Sequence, residues 1–175
     1  MSGHKPLIYI DACVIISMIT GDMPKESAIL SGLARMMDSQ EIIPVTSALT
    51  RSEILECNLT QQQKDRLKRL ISPPKMQVKS VDTKVEELAQ ELRDYYQALK
   101  ESGQTTLPTL SAPDANHLAT AILYECEKFY TYDEKDRPAS SGRPQRGLIP
   151  LSGNLAGKYT LEICKPDVKQ LGLDV

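Results

Sequence analysis

The stretch "LIYIDACVII" at residues 7–16 sets one carboxylate, Asp11, inside an apolar run. An uncompensated buried charge is costly, so such an acid is either paired or holds a metal. Four further acids fall where they could join it: Glu53 in "SALTRSEILE", Asp114 in "PDANHLATAI", and Asp133 and Asp136 in "FYTYDEKD". Carboxylates gathered at one point raise one another's pKa and cannot all stay ionised unaided. A hard divalent cation, Mg²⁺ or Mn²⁺, relieves that conflict because it takes oxygen ligands. Taken singly, the acids have plainer readings. Ser111 and Asp114 form an S-x-x-D capping box, Glu53 stands three residues after Thr50 in the same way, and Asp133 and Asp136 could be ordinary loop acids in water.

The elements around these acids decide whether they can meet. Residues 7–11 are short, continuous and β-branched, the pattern of a buried strand. "GDMPKESAILSGLARMMDS" follows as a helix, with Asp22 as N-cap and Pro24 in its first turn. "IIPVTS" at 42–47 is a short strand, and its proline suggests a sheet edge or a strand start. Ser47 caps the helix "ALTRSEILEC", Thr60 and Gln63 make a capping box for "QQQKDRLKRLI", and Pro73-Pro74 stops that helix. "MQVKSV" is a strand. Asp82 caps a long helix that ends at Gly103 and has Val85, Leu88, Ala89, Leu92, Tyr96 and Leu99 on one face.

"QTTLPTLS" is a loop, "APDANHLATAILYEC" a helix, "KFYTYD" a strand and "YTLEIC" a last strand segment. Between the last two lies a Pro/Gly/Arg-rich loop, residues 137–154. Strands separated by helices predict an α/β three-layer sandwich with a central parallel sheet, one domain over residues 1–175. Asp11 and Asp133 then lie at carboxyl ends of strands, where open parallel sheets bind ligands.

Composition narrows the function classes. The chain has 175 residues, 41% hydrophobic and 25% charged, with net charge -2. It is no generic polyanion binder, so nucleic-acid contact would need a local basic patch. The four cysteines lie far apart with no CxxC pair, and there are two histidines, which argues against structural zinc and a disulfide framework. They read as reduced, mostly buried thiols of a cytoplasmic protein, and no apolar stretch reaches membrane-spanning length.

In order, "YIDACVII", "SALTRSEILE", "PDANHLATAI" and "FYTYDEKD" resemble the PIN domain, the nuclease fold of VapC-type toxins and of many stand-alone ribonucleases. The resemblance runs from about residue 7 to 136 and implies that Asp11, Glu53, Asp114 and Asp133 are the catalytic acids and hold Mg²⁺ or Mn²⁺. Thr131 matches the family's small hydroxyl residue before the last acid, and Asp136 its second acid three residues on. One departure stands at the first acid: where the family has a hydroxyl or Asn shortly after it, this chain has Ala12 and Cys13. That implies weak local hydrogen bonding around Asp11.

The activity implied is metal-dependent hydrolysis of RNA phosphodiester bonds, with no covalent nucleophile. Arg51, Lys135 and Arg137, with Arg143 and Arg146, would meet the substrate backbone, although charged residues in such a loop are also ordinary solvated surface. The resemblance further implies a homo-oligomer, supported by a surplus of apolar residues (Met36, Met37, Leu55 and Leu59), and an antitoxin protein as partner if the chain is a toxin. Two other readings stay open. A phosphotransferase using Asp11 as nucleophile would want a second acid two residues on, where Cys13 stands. A non-catalytic PIN-like scaffold binding RNA or protein would have no need of four gathered acids.

Overall fold

The computed structural model describes residues 5–137 and 142–167. Its frame is five parallel strands: β1 (Leu7–Ile10), β2 (Ile43–Ser47), β3 (Gln77–Lys79), β4 (Lys128–Tyr130) and β5 (Glu162–Cys164). They lie in the order β3-β2-β1-β4-β5. Six α-helices cover them among the described residues: α1 (Ala12–Thr20), α2 (Ser27–Asp38), α3 (Ala48–Glu56), α4 (Gln61–Leu70), α5 (Thr83–Glu101) and α6 (Ala112–Leu123). The expected sandwich with a parallel central sheet is the architecture that forms.

Strand alternation builds two cores. Tyr9 pairs in register with Val45 and Phe129, and all three point into a core closed by Leu88 and Leu92 of α5 and Leu118 of α6. Ile8, Ile10 and Tyr130 point to the opposite face, against Ile15 of α1, Leu33 of α2 and Leu67 of α4. The chain lays β2 and β3 on one side of β1, then returns through α5 and α6 to lay β4 and β5 on the other. Its direction of winding therefore reverses between β1 and β4. That is the position at which an open α/β sheet leaves a crevice outside its carboxyl ends.

Several capping residues stand as the sequence predicts. Ser47 accepts the Thr50 N–H at the start of α3, Thr60 and Gln63 form the reciprocal capping box of α4, and Asp82 accepts the Val85 N–H at the start of α5. Other expectations fail for physical reasons. The apolar run after Asp11, to which the sequence pattern assigns no element, is a helix: α1 begins at Ala12, so Val14 and Ile15 are buried helix residues and Asp11 is the N-cap. A short apolar run does not by itself distinguish a buried strand from a buried helix.

Asp22 caps nothing. A 3-10 turn at Pro24–Glu26 precedes α2, which starts at Ser27 without a side-chain cap. Pro44 sits in the second position of an interior strand, so it marks a strand start and not an edge. Three cysteines are only half-buried and Cys126 is buried, and none of the four is in a disulfide. The unforeseen helix α1 also absorbs most of the apolar surplus. Met37 and Leu59 are buried in the core that α1 helps form and Met36 packs against it, while Leu55 is left 52% exposed.

The long loop after β4 is anchored at its described ends. Arg137 and Gln145 exchange backbone hydrogen bonds of 2.7 and 2.8 Å, and the Leu148 and Ile149 N–H groups both donate to the Asp133 carbonyl. Residues 138–141 of the expected 137–154 loop lie outside the described residues. Gly147 packs so closely that a Cβ there would lie 2.8 Å from the Lys135 carbonyl carbon and 3.0 Å from the Asp136 nitrogen. Both are backbone atoms and cannot rotate away. Gly147→Ala is expected to cost about 1–3 kcal/mol, the range for forcing atoms into a filled site. Urea unfolding checks this, and an unchanged midpoint would mean that the close approach is not needed.

Candidate active site at the carboxyl ends of β1 and β4

Asp11 serves as a structural cap while sitting at the mouth of the crevice. Its backbone is extended, its Oδ1 accepts the Ala12 N–H at 2.7 Å, and its backbone N–H donates to the Tyr130 carbonyl at 3.0 Å. Its Oδ2 accepts the Thr131 hydroxyl at 2.7 Å and the Cys13 thiol at 3.2 Å. An acid at a helix N-terminus is favoured by the exposed N–H groups and the helix dipole, so a carboxylate that is only 8% exposed is tolerated here. The expectation of weak local hydrogen bonding around Asp11 is thus overturned. Cys13 takes the place of a hydroxyl: its thiol faces Asp11 while its sulfur accepts the Tyr132 N–H at 3.3 Å. Burial, with Asp11 nearby, pushes the Cys13 pKa up, so it stays a neutral thiol.

The other acids reach the same cleft from separate elements. A cavity of about 450 Å³ is lined by Asp11, Glu53, Asp114 and Asp133, together with Arg137, Gln145, Ile16 and Tyr132. Asp114 lies in the first turn of α6, where Ser111 caps the helix and also bonds the Asp114 carboxylate. Ser111 thus caps α6 as the sequence suggests, but the Asp114 carboxylate takes the Ser111 hydroxyl and not the backbone N–H of a full capping box, and it lines the cleft as well. For Glu53 the proposed Thr50 cap does not form; Ser47 caps α3, and the Glu53 carboxylate turns to His117 at 2.9 Å. Asp133 follows β4, with its Oδ2 accepting the Gln145 amide at 3.2 Å.

Burial, with Asp114 and Asp11 nearby, raises the Asp133 pKa to about 6. Burial, with Asp11 and Glu53, raises that of Asp114 as well, against the lowering effect of Ser111. Burial opposes a charged His117, yet the hydrogen bond and charge of Glu53, with Asp11 and Asp114, outweigh it and raise its pKa.

The remaining expected residues are placed differently. Thr131 is fully buried behind the cleft, its hydroxyl shared between Asp11 and the Asp133 N–H at 3.1 Å. Asp136 lies outside the cleft lining and its Oδ1 accepts the Gly147 N–H at 2.9 Å. Arg137 lines the cleft, whereas Lys135 is exposed outside that lining. Arg51 lines a separate hollow with Lys68 and Val78. Arg143 is exposed, and Arg146 is buried, its guanidinium 4.5 Å over the Tyr96 ring and its Nε bonded to the Pro108 carbonyl.

Sequence reasoning passed over His117, Tyr9 and Gln145, and gave Cys13 no part in the site. The first had a readable signal: it follows Asp114 by three residues, the spacing that sets two side chains on one helix face.

A PIN domain family model matches residues 8–137. The chain belongs to the PIN domain family. Two solved structures share the fold of this PIN domain. VapC20 of Mycobacterium tuberculosis, a Sarcin-Ricin loop cleaving toxin, is 15% identical with a TM-score of 0.52, over 72% of this chain and 89% of that one. VapBC2 from Rickettsia felis, bound to a DNA fragment from its promoter, is 15% identical with a TM-score of 0.51, over 71% and 86%. No curated protein matches this PIN domain. Among the described residues, no helix is long and apolar enough to cross a membrane.

The donor set of this PIN domain fits a hard, hydrated cation. The acids offer only oxygen, and two of them are held above their ordinary pKa partly by their neighbours' charge, a repulsion that a cation would relieve. Among the described residues no three candidate ligands stand close enough to enclose an ion, so water would complete its shell. Asp133 binds its proton more tightly folded than unfolded. It therefore favours the folded, metal-free protein below its ordinary value of 3.8, and that contribution is lost as pH rises through about 6. In EDTA, the urea midpoint of Asp133→Asn should gain on wild type between about pH 4 and pH 7. Midpoint curves that run parallel would contradict the environment assigned to Asp133.

Proposed function

We propose that the chain is a Mg²⁺- or Mn²⁺-dependent endoribonuclease, and that Asp11, Glu53, Asp114 and Asp133 form its active site. The observation that carries this reading is the meeting of four carboxylates from four elements in one cleft, at the point where the sheet reverses its winding. Asp11, Asp114 and Asp133 would share the cation, in part through water because no three of the described acids stand close enough to enclose it, and Glu53 would either join them or orient the attacking water. A bound ion of this kind lowers the pKa of its water and stabilises charge on the phosphoryl oxygens.

The protein's own groups supply the rest. Arg137 at the rim offers a cation to the RNA backbone, and Lys135 and Arg51 extend that role outside the cleft. Ile16 and Tyr132 offer an apolar wall on which a base can rest. Thr131 serves the substrate only by holding Asp11 and the Asp133 backbone. Asp136 lies outside the cleft lining with its Oδ1 on the Gly147 N–H, so it would act on a metal in the cleft through water.

The competing readings fare worse on specific contacts. Asp11 as a phosphotransferase nucleophile is disfavoured because the second acid such a site wants two residues on is replaced by Cys13, a thiol that donates to Asp11. A non-catalytic scaffold does not need carboxylates held at raised pKa in one cleft. The reading extends to a VapC-type toxin acting in the cytoplasm with an antitoxin partner, and to a homo-oligomer. A light-scattering mass of 19.4 kDa at micromolar concentration would count against the oligomer.

Purified protein should cut single-stranded or structured RNA with Mg²⁺ or Mn²⁺ and stop in EDTA. Asp11→Ala, Asp114→Ala and Asp133→Ala should each lose about 100-fold or more in rate, the scale seen on removing one member of an electrostatic clamp. Identically purified wild type and Asp114→Ala degrading a panel of RNAs at one rate would reject the nuclease reading in favour of the scaffold.

A further inference from the structure

The Glu53 carboxylate is the most flexibly tethered acid of the cleft, since a glutamate side chain has three rotatable bonds and loses entropy when it is held. It is 28% exposed at the side chain, whereas the His117 ring that contacts it is 2% exposed. The two residues are 64 apart in sequence and come from α3 and α6. We infer that His117 is a positioning residue, which holds the Glu53 carboxylate in the cleft through its Nε2–H, and that Tyr9 and Ser47 hold the ring in place. The inference rests on the nuclease reading for its catalytic meaning, but its geometry can be tested without it.

Hydrogen-bond accounting supports it. An ionised carboxylate only accepts, so the hydrogen between the two groups sits on Nε2 whether the ring is neutral or charged. In the neutral ring Nδ1 is then an acceptor. The Tyr9 hydroxyl lies 2.7 Å away to donate to it, and the Tyr9 oxygen accepts the Ser47 N–H at 3.1 Å. In the charged ring Nδ1–H donates instead to Tyr9 or to the Ser47 hydroxyl at 3.2 Å. In both states each ring nitrogen has a partner with the ring unmoved.

Tyr9 is itself fixed. It is fully buried and stacked on Phe129, with ring centroids 4.7 Å apart and planes within 9°. The relay thus runs from the β2 backbone, through a core tyrosine, to a carboxylate at the cleft. A histidine serving the core alone would have no reason to aim an N–H at an acid of the cleft that sits at no helix N-terminus. Groups that orient a ligating carboxylate commonly matter about 10- to 100-fold for metal affinity or activity.

The test uses the full chain, with folding checked by thermal melts. In metal-free protein labelled with ¹⁵N-histidine, His117 should show a protonated Nε2 whose signal shifts in Glu53→Ala. Protonation on Nδ1 alone, or a signal indifferent to Glu53→Ala, would overturn the inference whether or not the protein cuts RNA. Mn²⁺ affinity and RNA cleavage should fall about 10- to 100-fold in His117→Leu and largely recover in His117→Gln, whose amide N–H reaches the same place. His117→Leu should add no further loss in the Glu53→Ala background. Equal losses in the Leu and Gln variants, or multiplied losses in the double variant, would mean that His117 acts only on the fold. A wild type that binds Mn²⁺ in this pattern but cuts no RNA would reject the nuclease reading and leave the positioning role standing.

Discussion

The hydrogen bond from the Thr131 hydroxyl to Asp11 Oδ2, 2.7 Å long and buried, joins the two strands between which the chain reverses its winding. Much else hangs on it. On the β1 side, Asp11 is extended in backbone and offers a side-chain acceptor, because it ends the strand and caps α1 in a single residue. On the β4 side, Thr131 turns its hydroxyl to Asp11 and its oxygen to the Asp133 N–H, so the first and last acids of the cleft are set by one side chain. Cys13 reinforces the joint by bonding Asp11 with its thiol and accepting the Tyr132 N–H with its sulfur. A crevice at a winding reversal is a general property of parallel sheets; what makes this one specific is that its two lips are tied by groups that also aim the acids.

Gathering carboxylates works against stability, and the structure offsets it locally at each acid. Asp11 and Asp114 each sit at a helix N-terminus, where unpaired N–H groups favour negative charge. Asp133 takes an amide from Gln145 and the field of Arg137, and Glu53 takes a ring N–H from His117. These supports are incomplete, since Asp114 and Asp133 still hold their protons above the ordinary range. A cation in the cleft, as the proposed function requires, would relieve that repulsion.

The loop after β4 belongs to the same design. Asp136 accepts the Gly147 N–H, the Asp133 carbonyl accepts two further N–H groups, and Arg146 lies under Pro108 and over Tyr96. The buried arginine therefore fastens the returning chain to α5, which frees Arg137 and Gln145 to line the cleft. Basic residues of one loop thus divide between anchoring and facing the cleft.

Local chemistry was legible in the sequence and long-range pairing was not. The sheet, the caps at Ser47, Thr60, Ser111 and Asp82, and the four acids of the cleft could all be read from residues within a few positions of one another, because strand period, caps and acid motifs are short-range patterns. Helix α1 escaped because "ACVIISMIT" is apolar on all sides, so it has no polar face to reveal its period. The Tyr9–His117–Glu53 relay escaped because its partners are 108 and 64 residues apart, and only the stacking of α6 and α3 around β2 brings them into reach. The fates of Arg51, Asp136 and Arg146 were decided in the same way. Their residue types were right for binding a phosphate or a metal, but which charge faces the cleft and which is buried depends on where the chain packs, and nothing local encodes that.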